Sequence, residues 1–448
     1  MALTETPSNK AGVWATYRVC SVALHRFLTT QLYSMTNLHE AKDSLQQAAR
    51  NEWRRKGRKG TLAACTGTGK TKPAIDEMME AWQQHKASAY EGTFGEMHHI
   101  DKPNFLVAVP TEQLRDVDWP NEVKQWYGTE GEEMWQLCVT AVCYISLHKV
   151  RGGYYDLVVL DEGHHLTELS AQFFKANVVL SVLCLTATVP DPKTEPVKYA
   201  LLREIAPVVF VYPLEQGVDD GVVADFELNI VLSVLDNKKK IIPAGSKAKP
   251  FLQTEEAAYK YQHNRITALR IKVDQRLGDP ASLAKSLQFM ELARYRFMCN
   301  LPSKLALARA IIKKEHTENP EHPRTLVFAG SIEQATILCG EDVYHSKSPK
   351  TALQKFLDME LDLMGCVKAL NEGVNIPFLD QEIICQVDSN PRSLVQRIGR
   401  MVRWRPGHVG KAFILCVQNT VDESWLKTAL AGFDEKRIKY LTAKTYIP

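Results

Sequence analysis

The sequence predicts an α/β protein of two lobes, each a parallel sheet wrapped by helices, and three observations lead there. The chain has 448 residues, too many for one ordinary core and enough for two lobes of about 150–200 residues. Short, wholly apolar runs alternate with amphipathic stretches, as expected when helices cover both faces of a sheet. Many of those runs end in small or polar residues, where loops at the carboxyl edge of a parallel sheet can meet a ligand. Hydrophobic residues at 45% and charged residues at 24% mark a folded chain and exclude a disordered or fibrous one.

The elements follow in order. Residues Val13–Thr30 are apolar in places but are interrupted by Arg18, His25 and Arg26. They predict an amphipathic helix in an N-terminal extension (1–36), not a leader or a membrane span. The first lobe (37–226) carries predicted strands at Thr61–Ala64, Phe105–Val109, Leu157–Leu160 and Val182–Leu185. A connector and helical segment (227–300) opens with Lys238–Lys240 and the Gly- and Lys-containing stretch Pro243–Pro250, then turns helical from Thr254 to about Glu315, with interruptions at Pro280 and Pro302. The second lobe (301–448) carries predicted strands at Thr325–Phe328, Gly365–Lys368, Glu382–Val387 and Ala412–Val417. Ten cysteines are scattered without a CxxC pair, which argues against a zinc site, an iron–sulfur cluster and a disulfide scaffold. A net charge of +3 neither demands nor forbids a nucleic-acid partner.

Two strings carry chemistry. ACTGTGKT, Ala64–Thr71, follows one predicted strand and opens a predicted helix, the context of a phosphate loop. Gly67 and Gly69 permit backbone angles that turn successive amides inward, with Thr66 and Thr68 between and beside them. Lys70 brings a point charge to the outer phosphates, and the Thr71 hydroxyl suits Mg2+. Ala64 replaces the usual first glycine. The second string, Tyr155–His164, is an apolar strand capped by Asp161 and Glu162. The first acid can hold Mg2+ and the second can orient an attacking water. Alone, such a pair is as often a helix cap or solvated loop. His164 and His165 diverge as neighbours and have no third ligand nearby, so His164 is expected to form hydrogen bonds and not to bind metal.

These strings, with Thr186–Thr188 and Gln396–Arg403 (QRIGRMVR), resemble motifs I, II, III and VI of superfamily-two helicases of the DEXH type. The resemblance spans roughly Leu38 to Val417. It implies two tandem RecA-like lobes, one ATP in the cleft between them, and movement on or remodelling of nucleic acid. Val107–Thr111 and Cys143–Leu147 are similar to the family's strand-binding segments, Thr325–Gly330 to motif IV, and Ala369–Pro377 to motif V, whose Gly373 and Asn375 would lie near the nucleotide. Gln46 or Gln47 resembles the adenine-reading glutamine, with Gln46 preferred. Arg400 and Arg403, three apart on a predicted helix, would share a face and act across the cleft as arginine fingers, with Gln396 one turn earlier contacting nucleotide or water.

DEGH and QRIGRMVR look most like the UvsW-, XPB- and restriction-motor-type members, so DNA is favoured over RNA. The expected compartment is the cytoplasm of a bacterial or phage-infected cell, with no membrane partner. Competing readings are an RNA helicase, the motor of a restriction or nuclease complex, and a catalytically silent nucleic-acid-binding scaffold. The last is disfavoured by the presence of Lys70, Asp161, Glu162, Arg400 and Arg403. Arg54–Lys59 reads as a solvated helix end before a phosphate contact, and Trp53, Trp119 and Trp404 as packing before base stacking.

Overall fold

The computed structural model describes residues 38–91, 102–246, 248–367, 370, 376–388, 391–405 and 407–447. The N-terminal extension and most of the motif V segment, including Gly373 and Asn375, lie outside them.

The first lobe opens with helix α1 (residues 38–55), which buries Ala49 and Trp53 on one face. There follow β1 (Lys59–Ala64), α2 (Lys72–Glu91), β2 (Phe105–Val109), α3 (Trp119–Cys138), β3 (Val139–Cys143), the single turn α4 (Tyr144–Leu147), β4 (Tyr154–Asp161), α5 (Glu168–Ala176), β5 (Val178–Thr186), α6 (Pro196–Ile205), β6 (Val208–Tyr212) and α7 (Leu214–Asp219). The six strands form one sheet in the order β3-β2-β4-β5-β1-β6, with every pairing parallel. Its inner strands are buried on both faces, so they read as continuous apolar runs. Ala74, Ile75, Met78, Met79 and Trp82 of α2 recur at helical spacing and pack on Leu62, Val107, Val159 and Leu183. Fully burying one such aliphatic side chain is worth about 1.5–3 kcal/mol.

The second sheet contains β7 (Asp225–Ser233), β10 (Thr325–Phe328), β11 (Val343–Tyr344), β12 (Leu363–Cys366), β13 (Gln381–Ile384), β14 (Val409–Val417) and β15 (Ile438–Thr442). Their order is β11-β12-β10-β13-β14-β7-β15, again all parallel. Between β7 and β10 come an antiparallel hairpin, β8 (Ile242–Ser246) with β9 (Lys249–Gln253), and helices α8 (Glu255–Asp274), α9 (Pro280–Cys299) and α10 (Pro302–Ile312). Pro280 and Pro302 are the first residues of their helices, where a missing N–H costs nothing. Helices α11 (Ile332–Cys339), α12 (Thr351–Leu357), α13 (Pro391–Met401) and α14 (Val421–Ala429) complete the lobe.

One expectation is corrected here. Residues 227–233, expected in a connector, form most of β7, an inner strand between β14 and β15. The chain therefore passes between sheets after β6, before position 226. The Lys238–Lys240 run, read as part of an exposed connector, is indeed an exposed loop, but it follows that strand. The stretch read as open connector also folds locally, as the β8–β9 hairpin. Among the described residues, no helix is long and apolar enough to cross a membrane.

Candidate active site

The phosphate loop joins the carboxyl end of β1 to α2. Gly67 and Gly69 have φ of +87° and +74°, conformations that side chains rarely tolerate, so the loop needs glycine at both positions. Thr68 Oγ1 donates to the Cys65 carbonyl at 2.8 Å. Gln46, buried on α1, donates from Nε2 to the carbonyls of Thr68 at 2.9 Å and Gly69 at 3.4 Å. Gln47 instead points outward and donates to Asn51, so Gln46 is the glutamine that touches the loop. Beside it Leu45, Gln46, Ala64 and Phe210 help line a cavity of about 20 Å³.

Strand β4 delivers the two acids. Asp161 is buried, and its Oδ2 accepts from Trp119 Nε1 at 2.9 Å. Burial, with Glu162 next to it, pushes its pKa up to about 7. Glu162 sits at φ +49°, a left-handed conformation that costs a non-glycine residue on the order of 1–3 kcal/mol and collects at functional sites. Its Oε1 pairs with Lys70 Nζ at 2.9 Å. His164 is buried, with Nδ1 at 3.2 Å from Thr186 Oγ1 and 3.5 Å from Glu162 Oε2. Thr186 Oγ1 in turn donates to the Thr188 carbonyl at 2.9 Å. The DEGH segment is thus wired to the end of the next strand through an imidazole.

Lobe two meets this cradle through α13. Gly399 lies so close to the loop that a Cβ there would overlap the Thr66 hydroxyl. The Val402 carbonyl accepts from the Ala224 amide at 2.8 Å. Gln396 and Arg400 are buried within the helix. Arg403 departs from expectation: the helix ends at Met401, so Arg403 stands in the segment beyond it and shares no helical face with Arg400. It nevertheless lies near Arg400. Burial and that neighbour pull its pKa down to about 10, opposed by Glu122. Two further inter-lobe contacts are Lys350 Nζ to Gln113 Oε1 at 2.9 Å and the Arg392–Glu195 ion pair.

Two residues in the cleft have roles that the sequence does not suggest: nothing local marks Glu122, and Trp119 is expected from sequence to pack or to stack on a base. Trp119, at the start of α3, orients Asp161. Glu122, one turn on, accepts a hydrogen bond from the Thr71 hydroxyl, and burial raises its pKa. Other candidates turn out to be packing groups. Trp53 is buried and donates to the Val182 carbonyl at 2.8 Å. Arg54 pairs with Glu77 and Glu80, fastening α1 to α2, and Arg55 pairs with Glu52.

Similarity to known proteins follows the same division into halves. Residues 36–191 match the family model described as "Type III restriction enzyme, res subunit". Residues 304–405 match "Helicase conserved C-terminal domain". The DNA 3'-5' translocase XPB2 of Sulfurisphaera tokodaii is 22% identical over 369 residues, covering 78% of this chain and 75% of that one. Among solved structures, the ATP-dependent Type ISP restriction-modification enzyme LlaBIII bound to DNA superposes with a TM-score of 0.51 at 15% identity over 89% of this chain; the chain spans only 31% of that enzyme's length. A Dbp5 variant from S. cerevisiae bound to RNA and ADP BeF3 superposes with a TM-score of 0.53 at 12% identity, covering 92% of this chain and 94% of that one. With both sheets built as in these structures and both halves matched in order, the chain belongs to the superfamily-two helicases, ATP-hydrolysing motors with two RecA-like lobes.

Proposed function

We propose that this chain is a DNA-directed translocase whose single ATP sits between α13 and the phosphate loop. The carrying observation is the packing of Gly399 on Thr66, with Arg403 electrostatically close to Glu122 and Glu122 bonded to Thr71. In this reading the loop amides from Thr66 to Gly69 and the side chain of Lys70 hold the phosphates, and Lys70 exchanges its Glu162 partner for them. Gln46 lies at the adenine end, while Gly373 and Asn375 contribute from lobe two. Glu162 orients the attacking water and accepts its proton. Arg400 and Arg403 stabilise charge on the transferring phosphoryl group, and Gln396 contacts the nucleotide or that water.

Thr71 and Asp161 would hold Mg2+. Among the described residues no group of three or more His, Cys, Asp or Glu could hold a metal ion. A hydroxyl and one carboxylate suit a cation that keeps several waters and takes its remaining ligands from substrate phosphates. When bound it would neutralise charge on the phosphate oxygens. Repeated closing of the lobes on ATP and their release after hydrolysis would move a strand gripped by both lobes.

DNA is favoured by the XPB2 likeness in sequence and by the DEGH and QRIGRMVR strings. The test is ATP hydrolysis measured with single-stranded, duplex and branched DNA and with RNA. The expected result is the largest stimulation by a DNA form. Stimulation by RNA alone would replace this reading with that of an RNA helicase, and equal rates with no polymer would remove the motor.

A further inference from the structure

On lobe two, the root of the α8–α9 hairpin, the end of β7 and the start of α14 enclose a cavity of about 810 Å³. That volume falls within the span of about 300–1,000 Å³ usual for small-ligand sites. Among the described residues lining it, Lys260, Arg270 and Arg294 are cationic and Glu256 is the one acid.

Arg294 is the unusual member. It is 4% exposed, forms no hydrogen bond or ion pair with any described residue, and buries its Nε without a partner. A guanidinium withdrawn from water is ordinarily matched by a carboxylate, because its donors are costly to leave unsatisfied. Here the charges that act on it are another cation, Arg270, and the carboxylate of Glu291, which is already paired with Arg270 at 2.5 Å. Lys260 adds charge at the rim, where it pairs with Glu256 at 2.6 Å. The start of α14 is not the source of attraction. Its Val421 N–H is taken by the Tyr259 hydroxyl at 2.8 Å and its Asp422 N–H by Thr420 Oγ1 at 3.1 Å. An aromatic wall completes the cavity: Trp425 lines it and lies 5.8 Å from Tyr295, ring centre to ring centre. A buried guanidinium without an ion pair of its own, in a cavity that an indole also lines, suits a phosphate attached to a flat base.

We propose that this cavity is a second phosphate-binding site, which takes one nucleotide unit with its phosphate on Arg294 and its base against Trp425. The unit is either a free nucleotide or one member of a strand. The site shares no lining residue with the inter-lobe cleft and does not depend on hydrolysis there.

The test measures equilibrium binding of dAMP and of a single-stranded oligonucleotide to the full chain carrying Lys70→Ala, so that a failure of the motor reading leaves the assay readable. Adding Arg294→Gln is expected to weaken binding about tenfold, the worth of one charge-assisted contact, with Arg294→Lys restoring part of it. Weakening with dAMP identifies a free nucleotide; weakening confined to the oligonucleotide identifies a strand. Ser424→Glu, which places a carboxylate at the exposed cavity wall, should act in the same direction without touching a buried group. It therefore decides the matter if Arg294→Gln does not fold. Unchanged binding of both probes in whichever of these variants folds overturns the proposal.

Discussion

The two halves of the cleft are built on opposite electrostatic plans. In lobe one each key group is closed on another: Lys70 on Glu162, Thr71 on Glu122, Asp161 on Trp119. In lobe two Arg403 is brought in with no carboxylate within ion-pair distance among the described residues, and its pKa is drawn down to about 10 by burial and by Arg400. Beneath α13, Glu382 is completely buried, and neither carboxyl oxygen has a hydrogen-bond partner. Burial pushes its pKa well above the ordinary value, only partly opposed by Arg400 and Arg397. Lobe one therefore holds its own counter-ions in readiness, whereas lobe two holds positive charge that a phosphate would satisfy. Such an asymmetry makes the nucleotide itself the natural bond between the lobes.

The sharpest way to break this comparison is Lys70→Ala. Removing the lobe-one cation should lower kcat for ATP hydrolysis on the order of 10³-fold, read by phosphate release with DNA present; activity within a few-fold of the parent would mean the cradle is elsewhere. Arg403→Ala comes next, with a loss of about 10²-fold in kcat and little change in KM, because its charge matters most in the transition state. The same variant should be no less stable than the parent, since a desolvated cation is removed. Trp119→Phe keeps an aromatic ring but deletes the indole N–H that donates to Asp161. A hydrogen bond to a charged group is worth about 1.5–3 kcal/mol, so a loss of about tenfold is expected, partly recovered by raising Mg2+. Unchanged Mg2+ dependence would sink the positioning role.

The smallest effect is on stability. The folded pKa of Glu382 is raised, so its contribution is fully present below the unfolded glutamate pKa and is lost as pH rises through the folded value. Glu382→Gln should therefore flatten the fall of Tm above the ordinary glutamate range and raise Tm at pH 8 by about 2–4 °C. A lower Tm at that pH would show that Glu382 serves as a counter-ion for α13.

How much of this was legible in the sequence differs by residue. The phosphate loop and the Asp161–Glu162 pair announce themselves because a strand, a turn and a helix start lie within a few positions of one another. The choice between Gln46 and Gln47 was legible too: Ala49, Arg50 and Trp53 follow Gln46 at helical spacing, and that face is buried. The hydrogen bonds of Trp119 and Glu122 gave no local sign, because their partners Asp161 and Thr71 lie far off in sequence and meet them only when α3 packs beside the sheet. Arg403 was misplaced by extending helical periodicity past Met401. The strand β7 is hard to see because Asp225, Glu227 and Asn229 interrupt its apolar run and an exposed lysine run follows it closely. The edge strands β3 and β15 are part-exposed and lack the continuous apolar run that marks their inner neighbours.

The early position of β7 has a consequence for biogenesis. This strand leaves the ribosome directly after the first lobe, yet both of its sheet neighbours, β14 and β15, come from the last stretch of the chain. Throughout that interval its two ladders of amide and carbonyl groups have nothing to pair with, and an apolar strand in that condition invites pairing with other chains. The nascent polypeptide must therefore shield Phe226–Leu232 until β14 and β15 have been made, and a cut between β7 and β14 would leave one fragment with an orphaned strand and the other with a divided sheet.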